Sequence, residues 1–400
     1  MADNDIEKEI REEIKRARLA PRKPGALKRA LVLLAVLAVV LGAVGYAAFR
    51  DLNSMDSIRR LFTYNKVAQG EDGRAELFRF DSDRSARYEA LGDDLLIVST
   101  TRVLLLGDEG ETLWSKTVSF KNPAVEIGGK HAAVYDVGGK ELYILNARGL
   151  VRDMSGESEN GILSASLNAS DYLALTTLKS GYRAAVSAYD NNGSPLFTFN
   201  SSEHYLTDAC VLNDNRRLAA AELGEADGIF ASTIRFFSFD SERAISETTL
   251  GGAMALSLRP FGDRLAVLED ARFTVFEPDG SLAGSSRYPY PYLRGKSLRG
   301  ADYAVLLLSR YRSGGASRIV TVDGEGGVLA TLDAQHEVLD VSAAGRYVAV
   351  LYADSLTIYT SDLAEYASLP ATDYAKRVVM RDDGSALLLG ASRAWLYVPK

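Results

Sequence analysis

Carboxylates dominate the reactive side chains of this chain. It has 53 Asp and Glu against 46 Lys and Arg, with three histidines and one cysteine in 400 residues. Two chemistries could draw on so many acids. The first is calcium binding, since Asp108, Asp190, Asp279 and Asp323 fall in turn-like sequences. None sits in a D-x-D-x-D-G loop with a distal Glu, so the expectation is turn residues bonding their own backbone. The second is hydrolase or lyase chemistry by paired carboxylates, which depends on a separation that sequence does not display. Nucleophilic and metal chemistry have little to work with. Cys210 lies in the apolar run TDACVLND with no histidine beside it, which predicts a buried, inert thiol. His131 begins a strand-like run and reads as structural, whereas His204 and His336 fall between such runs. Their spacing matches no histidine-based metal motif, and a single cysteine excludes Cys-rich zinc sites. No catalytic, metal or cofactor residue is assigned.

Recognition is better provided for than catalysis. The segment Arg287-Tyr-Pro-Tyr-Pro-Tyr-Leu-Arg294 alternates tyrosine with proline. Proline stiffens the loop and lowers the cost of ordering it, while Tyr and Arg concentrate interface energy. Long loops are also expected at 178–183, 224–230 and 309–318, and the first and last of these hold Tyr182, Tyr311 and Arg312. With Arg287, Tyr290, Tyr292 and Arg294 they form the expected partner-binding face. The competing expectation is that these tyrosines pack between structural units.

The elements that would carry these loops repeat. A turn followed by a small apolar strand recurs eight times, starting near Leu95, Ala132, Tyr172, Leu218, Leu265, Tyr303, Tyr347 and Ala386. A strand, an Asp/Asn/Gly turn and another strand follow each copy in a fixed phase. A period of roughly 42 residues with four strands per unit predicts an all-β, eight-bladed β-propeller, with seven blades as the alternative. Small residues in the recurring strand are expected near the crowded axis. The aromatics Phe236, Phe237, Phe273, Phe276 and Tyr359 are expected further out, between blades. The last unit lacks an outermost strand, and residues 75–81 (AELFRFD) supply one, closing the ring. By this phase the 287–294 segment joins an outermost strand to the next innermost one. It then shares a face with the loops between second and third strands.

The first unit contains Asp108-Glu-Gly-Glu-Thr-Leu-Trp114, which resembles the Asp-x-Gly-x-x-x-Trp repeat of pyrroloquinoline-quinone-type propellers. Elsewhere the Trp position is read as Asp153, Phe197 or Gly284. The layout is similar to a bacterial family of membrane-anchored proteins of unknown function with quinoprotein-like or WD-repeat-like propellers. The quinoprotein likeness would imply a calcium-held quinone, several indole contacts and commonly a vicinal disulfide. Two tryptophans, Trp114 and Trp395, and a lone cysteine argue against that cofactor.

Residues 30–49 carry no charge and are long enough, at about 1.5 Å per residue, to span a bilayer core. Basic residues flank them on the N-terminal side, so the positive-inside rule places residues 1–29 in the cytoplasm and the propeller outside. The run exceeds a typical signal-peptide core, which favours an uncleaved anchor. Residues 1–29 form a basic, amphipathic tail with nine basic and six acidic residues. Residues 50–73 read as a stalk, with Leu52, Met55, Leu61 and Phe62 suggesting a brief helical continuation, and residues 74–400 as the propeller. The net charge of -7 argues against nucleic acid as a partner. The expected function is a non-catalytic, single-pass scaffold of the bacterial cell envelope that presents one face to a protein or glycan. A transmembrane sensor and an envelope hydrolase or lyase are the alternatives.

Overall fold

The computed structural model describes residues 72–399 apart from 81, 82, 84, 109, 227 and 242, together with 33–37, 39, 40, 56, 57, 59, 60, 63, 64 and 70. The chain divides into two compact units, 1–62 and 63–400. In the first, residues 33–37, 39 and 40 are helical, and the Leu and Val side chains among them are exposed. Among the described residues no helix is long and apolar enough to cross a membrane. The tail, most of the 30–49 run and most of the expected stalk, including Leu52, Met55, Leu61 and Phe62, lie outside the described residues.

The second unit consists of eight antiparallel sheets of four strands, so the ring has eight blades. Blades 1 to 7 occupy 87–117, 123–153, 162–201, 205–249, 255–287, 292–333 and 338–369. Blade 8 combines 377–397 with the strand Arg74–Arg79, which pairs with Arg393–Tyr397 and closes the ring as expected. Closure extends upstream of that strand. Tyr64, expected in the stalk, is 3% exposed. Its hydroxyl accepts a hydrogen bond from the Arg381 guanidinium at 3.0 Å and lies 2.9 Å from Ser385 Oγ. Burial and the nearby Asp383 push the Tyr64 phenol above its usual pKa, against the pull of Arg381.

Position in the ring explains the sequence patterns. The recurring small apolar strands are second from the axis, not innermost. There each is covered on both sides by neighbouring blades and reads as a continuous buried run, as in Ala132–Asp136 and Tyr303–Ser309. The outermost strands have one wet face and alternate accordingly, as in Ala244–Thr249. The predicted aromatics do pack between blades: Phe236 of blade 4 meets Phe276 of blade 5 edge to face at 6.0 Å, and Phe236, Phe237, Phe273 and Phe276 are all but fully buried. In blades 1 to 7 a register shift interrupts the pairing of third and fourth strands, and such bulges increase local twist. The fourth strand is thereby turned against the third–fourth turn of the next blade. Trp114 of blade 1 packs over Gly149 of blade 2, where a Cβ would lie 2.8 Å from the indole Cδ1.

Candidate functional site

Four-stranded meanders give the ring two unlike faces. First–second and third–fourth connections form one, the turn face. Second–third connections and the joins between blades form the other, the loop face. Tyr288–Pro291 is such a join, and residues 178–183, 228 and 310–316 lie in connections of second to third strands. The expected residues therefore do share the loop face.

Their exposure separates them into two groups. Tyr182, Tyr292 and Tyr311 are 45%, 40% and 54% exposed. Arg287, Arg294 and Arg312 are exposed as well. Tyr290 follows the competing expectation instead. It packs against the core shared by blades 5 and 6, with the Arg318 guanidinium 4.7 Å above its ring. Arg318 is held there by two hydrogen bonds to Asp333, at 2.7 and 2.9 Å, which keep the Asp333 carboxyl below its usual range. Tyr288 is buried and donates to the Glu269 carbonyl at 3.0 Å. The Tyr-Pro segment is thus pinned by two of its tyrosines and presents the third. Blade 6 gathers the arginines: Arg294 Nη1 donates to the Arg312 carbonyl at 3.0 Å, and Arg310 lies 5.9 Å from the Tyr311 ring. Blade 3 contributes Tyr182 with Lys179 5.8 Å from its ring.

Four loop-face residues escaped the sequence reading. The hairpin of blade 4 has strands of ten residues, Arg217–Ala226 and Ile229–Ser238, against five to seven in most other strands. Near its tip Ile229 and Phe230 are 61% and 67% exposed. The 224–230 segment is expected as a long loop on this face, but the expected partner-binding residues do not include Ile229 or Phe230, which the structure places on the strand just beyond its tip. Tyr205 at 48% and Leu256 at 50% flank them on blades 4 and 5.

The axis is also chemically distinctive. Arg259 of blade 5 reaches Glu126 of blade 2 and lies 3.5 Å from Asp208 of blade 4. Asp208 also accepts the Leu258 and Ala209 amides. Burial pushes the Glu126 carboxyl up while Arg259 opposes it, and Arg259 itself is held above its usual pKa by the two acids despite its burial. Lys296, open to the same channel, is pushed down by the crowding walls and by Arg259. A second pair crosses between blades 6 and 1, Arg299 to Glu89 at 2.7 Å. The carboxylates that converge at the axis therefore do so on arginines, not as an acid–base pair around an open site.

Three of the four turn acids bond their own turns. Asp190 accepts the Asn192 and Ser194 amides, Asp279 the Ser281 amide and hydroxyl, and Asp323 the Glu325 and Gly327 amides. Among the described residues no group of three or more acids, histidines or cysteines could hold a metal. Cys210 is buried, and burial pushes its thiol up. His131 is structural, with Nδ1 2.9 Å from Asp171, and His336 packs edge-on against Tyr352 at 6.3 Å.

These features define a β-propeller whose loop face between blades 3 and 6 gathers exposed tyrosines and arginines, while exposed Leu113, Leu282 and Val328 mark the start of outermost strands on the turn side. The chain belongs to a family of unknown function (DUF5711), whose model matches residues 65–380. No curated protein matches it. Among solved structures it is similar to the computationally designed Ika8 protein, at 10% identity over 81% of this chain and 99% of that one, TM-score 0.57. It is similar to the C-terminal WD40 domain of Sif2, at 12% identity over 82% and 99%, TM-score 0.56. BamB from Moraxella catarrhalis matches at 15% identity over 80% and 97%, TM-score 0.49. The first two establish the fold alone. The quinoprotein-type repeat is confined to one blade: pairing places Arg152, not Asp153, where blade 1 has Trp114, followed by Phe197, Ser246, Gly284, Ala330 and Ala367.

Proposed function

We propose that this propeller is a non-catalytic binding scaffold of the bacterial cell envelope, held to the membrane through residues 30–49 and engaging a partner through its loop face. The observation that carries the reading is the cluster on blade 6. Tyr292 and Tyr311 stand exposed beside Arg294 and Arg312 on a backbone fixed by Tyr288, Tyr290 and the Arg294–Arg312 contact. Rigid aromatic and guanidinium groups on a pre-ordered frame lose little entropy on binding. The way the chain joins the ring supports the choice of face. Tyr64, Gly73 and Arg74 all meet blade 8 on its turn side, at Ser385, Val398 and Tyr397. Arg74 also reaches the Ala371 carbonyl and Asp373 in the join before blade 8, but none of these contacts involves blades 3 to 6.

The test is crosslinking in intact membranes, comparing wild type with Tyr292→Ala/Tyr311→Ala. A specific envelope protein captured by wild type and lost in the folded double variant supports the reading. An identical set of crosslinks in both forms removes the loop face from it.

A further inference from the structure

Four guanidinium groups on the loop face, those of Arg287, Arg294, Arg310 and Arg312, are exposed and form no ion pair among the described residues. Other exposed arginines also stand without an acid, Arg87, Arg148 and Arg216 among them, but blade 6 gathers three on one face. Of the neighbouring acids, Glu222 and Glu269 are buried on Arg235 and Arg272 at 2.8 and 2.7 Å, Asp333 and Asp270 are exposed but bonded to Arg318 and the Met254 amide, and Glu203 and Glu337 are exposed in the joins on either side. Glu225, beside the hairpin tip, stays exposed. Blade 6 therefore offers a local positive field, and adjoining blades 4 and 5 offer an apolar one built from Ile229, Phe230 and Leu256.

We infer that the loop face between blades 4 and 6 takes an acidic protein segment with an apolar anchor. The anchor would rest on Phe230 and Leu256, and its flanking carboxylates on Arg294, Arg310 and Arg312. Guanidinium groups favour carboxylates, which they meet with paired hydrogen bonds. An anionic glycan or a phosphate polymer would satisfy the arginines equally well. It would leave the aliphatic and phenyl groups of blades 4 and 5 in water, and burying those groups is the larger source of affinity. The inference rests on the loop-face reading above and narrows it to one chemistry of partner.

The experiment pans random 12-residue displayed peptides against the purified full-length chain. It then measures selected peptides by fluorescence anisotropy against wild type, Arg294→Glu/Arg312→Glu, Ile229→Ser/Phe230→Ser and Tyr292→Ala/Tyr311→Ala. Each variant is first checked for an unchanged thermal transition. The expected selection is rich in Asp and Glu around one or two apolar residues. Charge reversal and the Phe230 variant should each weaken those peptides by about tenfold or more, and binding should weaken further with added salt. Peptides without acids that still lose affinity to Tyr292→Ala/Tyr311→Ala would overturn the acidic-segment inference and leave the face standing. Peptides indifferent to every variant, or no enrichment at all, would overturn both. Poly(glycerol phosphate) that binds better than any selected peptide, and does so regardless of Phe230, would replace the protein segment with an anionic polymer.

Discussion

The two faces of the ring spend their polar groups differently. On the turn face, neighbouring blades are stitched together. Asn168 Nδ2 of blade 3 donates to the Leu212 carbonyl of blade 4 at 2.9 Å, and Asn213 Nδ2 to the Gly262 carbonyl of blade 5 at 2.7 Å. Asp171 accepts the Lys130 and His131 amides of blade 2, and Ala301 of blade 6 donates to the Gly345 carbonyl of blade 7 at 2.7 Å. Arg381 carries the stitching from blade 8 to the Asp93 carbonyl of blade 1 at 2.5 Å. On the loop face the backbone is anchored too, but between blades 3 and 6 several aromatic and guanidinium side chains project without such partners. Both faces tie neighbouring blades together, but the loop face between blades 3 and 6 also leaves exposed tyrosine and arginine side chains available. Substitutions at the ties should therefore move stability, and substitutions of those exposed side chains should move binding.

The largest effect belongs to ring closure. Deleting residues 74–79 strips Arg393–Tyr397 of its outer neighbour and exposes the sheet edge of blade 8. Loss of a single cooperative unfolding transition in calorimetry is the expected outcome. An unchanged melt would mean that the ring holds without its closing strand. Next comes the axis. Arg259→Met leaves Glu126 and Asp208 without their guanidinium partner and with only Lys296 nearby to offset them, which should cost about 3–5 kcal/mol in urea unfolding. Part of that loss should return at acid pH, where the stranded carboxylates take up protons.

Asp340 gives a gentler and oppositely useful test. Burial on the innermost strand of blade 7 pushes its carboxyl up to about 6, although the Val378 amide and Arg377 favour the charged form. The folded state thus holds the Asp340 proton more tightly than the unfolded chain does. Stability should fall as pH rises from about 4 through about 6. Asp94, raised to about 6 by burial and by Asp108 and Asp93, acts in the same direction. Asp340→Asn keeps the acceptor for the Val378 amide, should flatten the slope, and should gain about 1–3 kcal/mol at pH 7. A slope unchanged in urea titrations of this variant would mean that Asp340 is not the group responsible.

The sequence made the scaffold readable and the contacts across it unreadable, for physical reasons. Blade number, closing strand and the shared face follow from turn chemistry and strand periodicity, which are local and repeat eight times. The recurring Ala-rich strands were misplaced by one position because burial on both faces selects small residues as strongly as crowding at the axis does. The innermost strands instead carry Glu126, Asp208, Arg259 and Lys296. Arg259 and Glu126 meet across 133 residues of separation, and nothing local marks them as partners. The shift from Asp153 to Arg152 comes from turn length: five residues separate Leu106 from its partner Thr112 in blade 1, but four separate Leu145 from Leu150 in blade 2, while the bulge falls at the same place in both. Tyr290 was assigned to the binding surface along with Tyr292 because alternation along a loop does not say which ring is captured by Arg318.

The smallest expected effect is the sharpest test of the contrast between the faces. Tyr292 and Tyr311 make few of the contacts that hold the ring, so Tyr292→Ala/Tyr311→Ala should leave unfolding stability within about 0.5 kcal/mol of wild type. Gly149→Ala is the turn-face counterpart. It puts a methyl 2.8 Å from the Trp114 ring at a residue with φ of 111°, and should cost about 1–3 kcal/mol while leaving loop-face binding intact. The pair of measurements matters more than either alone. If the tyrosine variant destabilises the ring as much as the glycine variant does, the loop face is also spent on folding, and its exposed side chains lose their claim to be a binding surface.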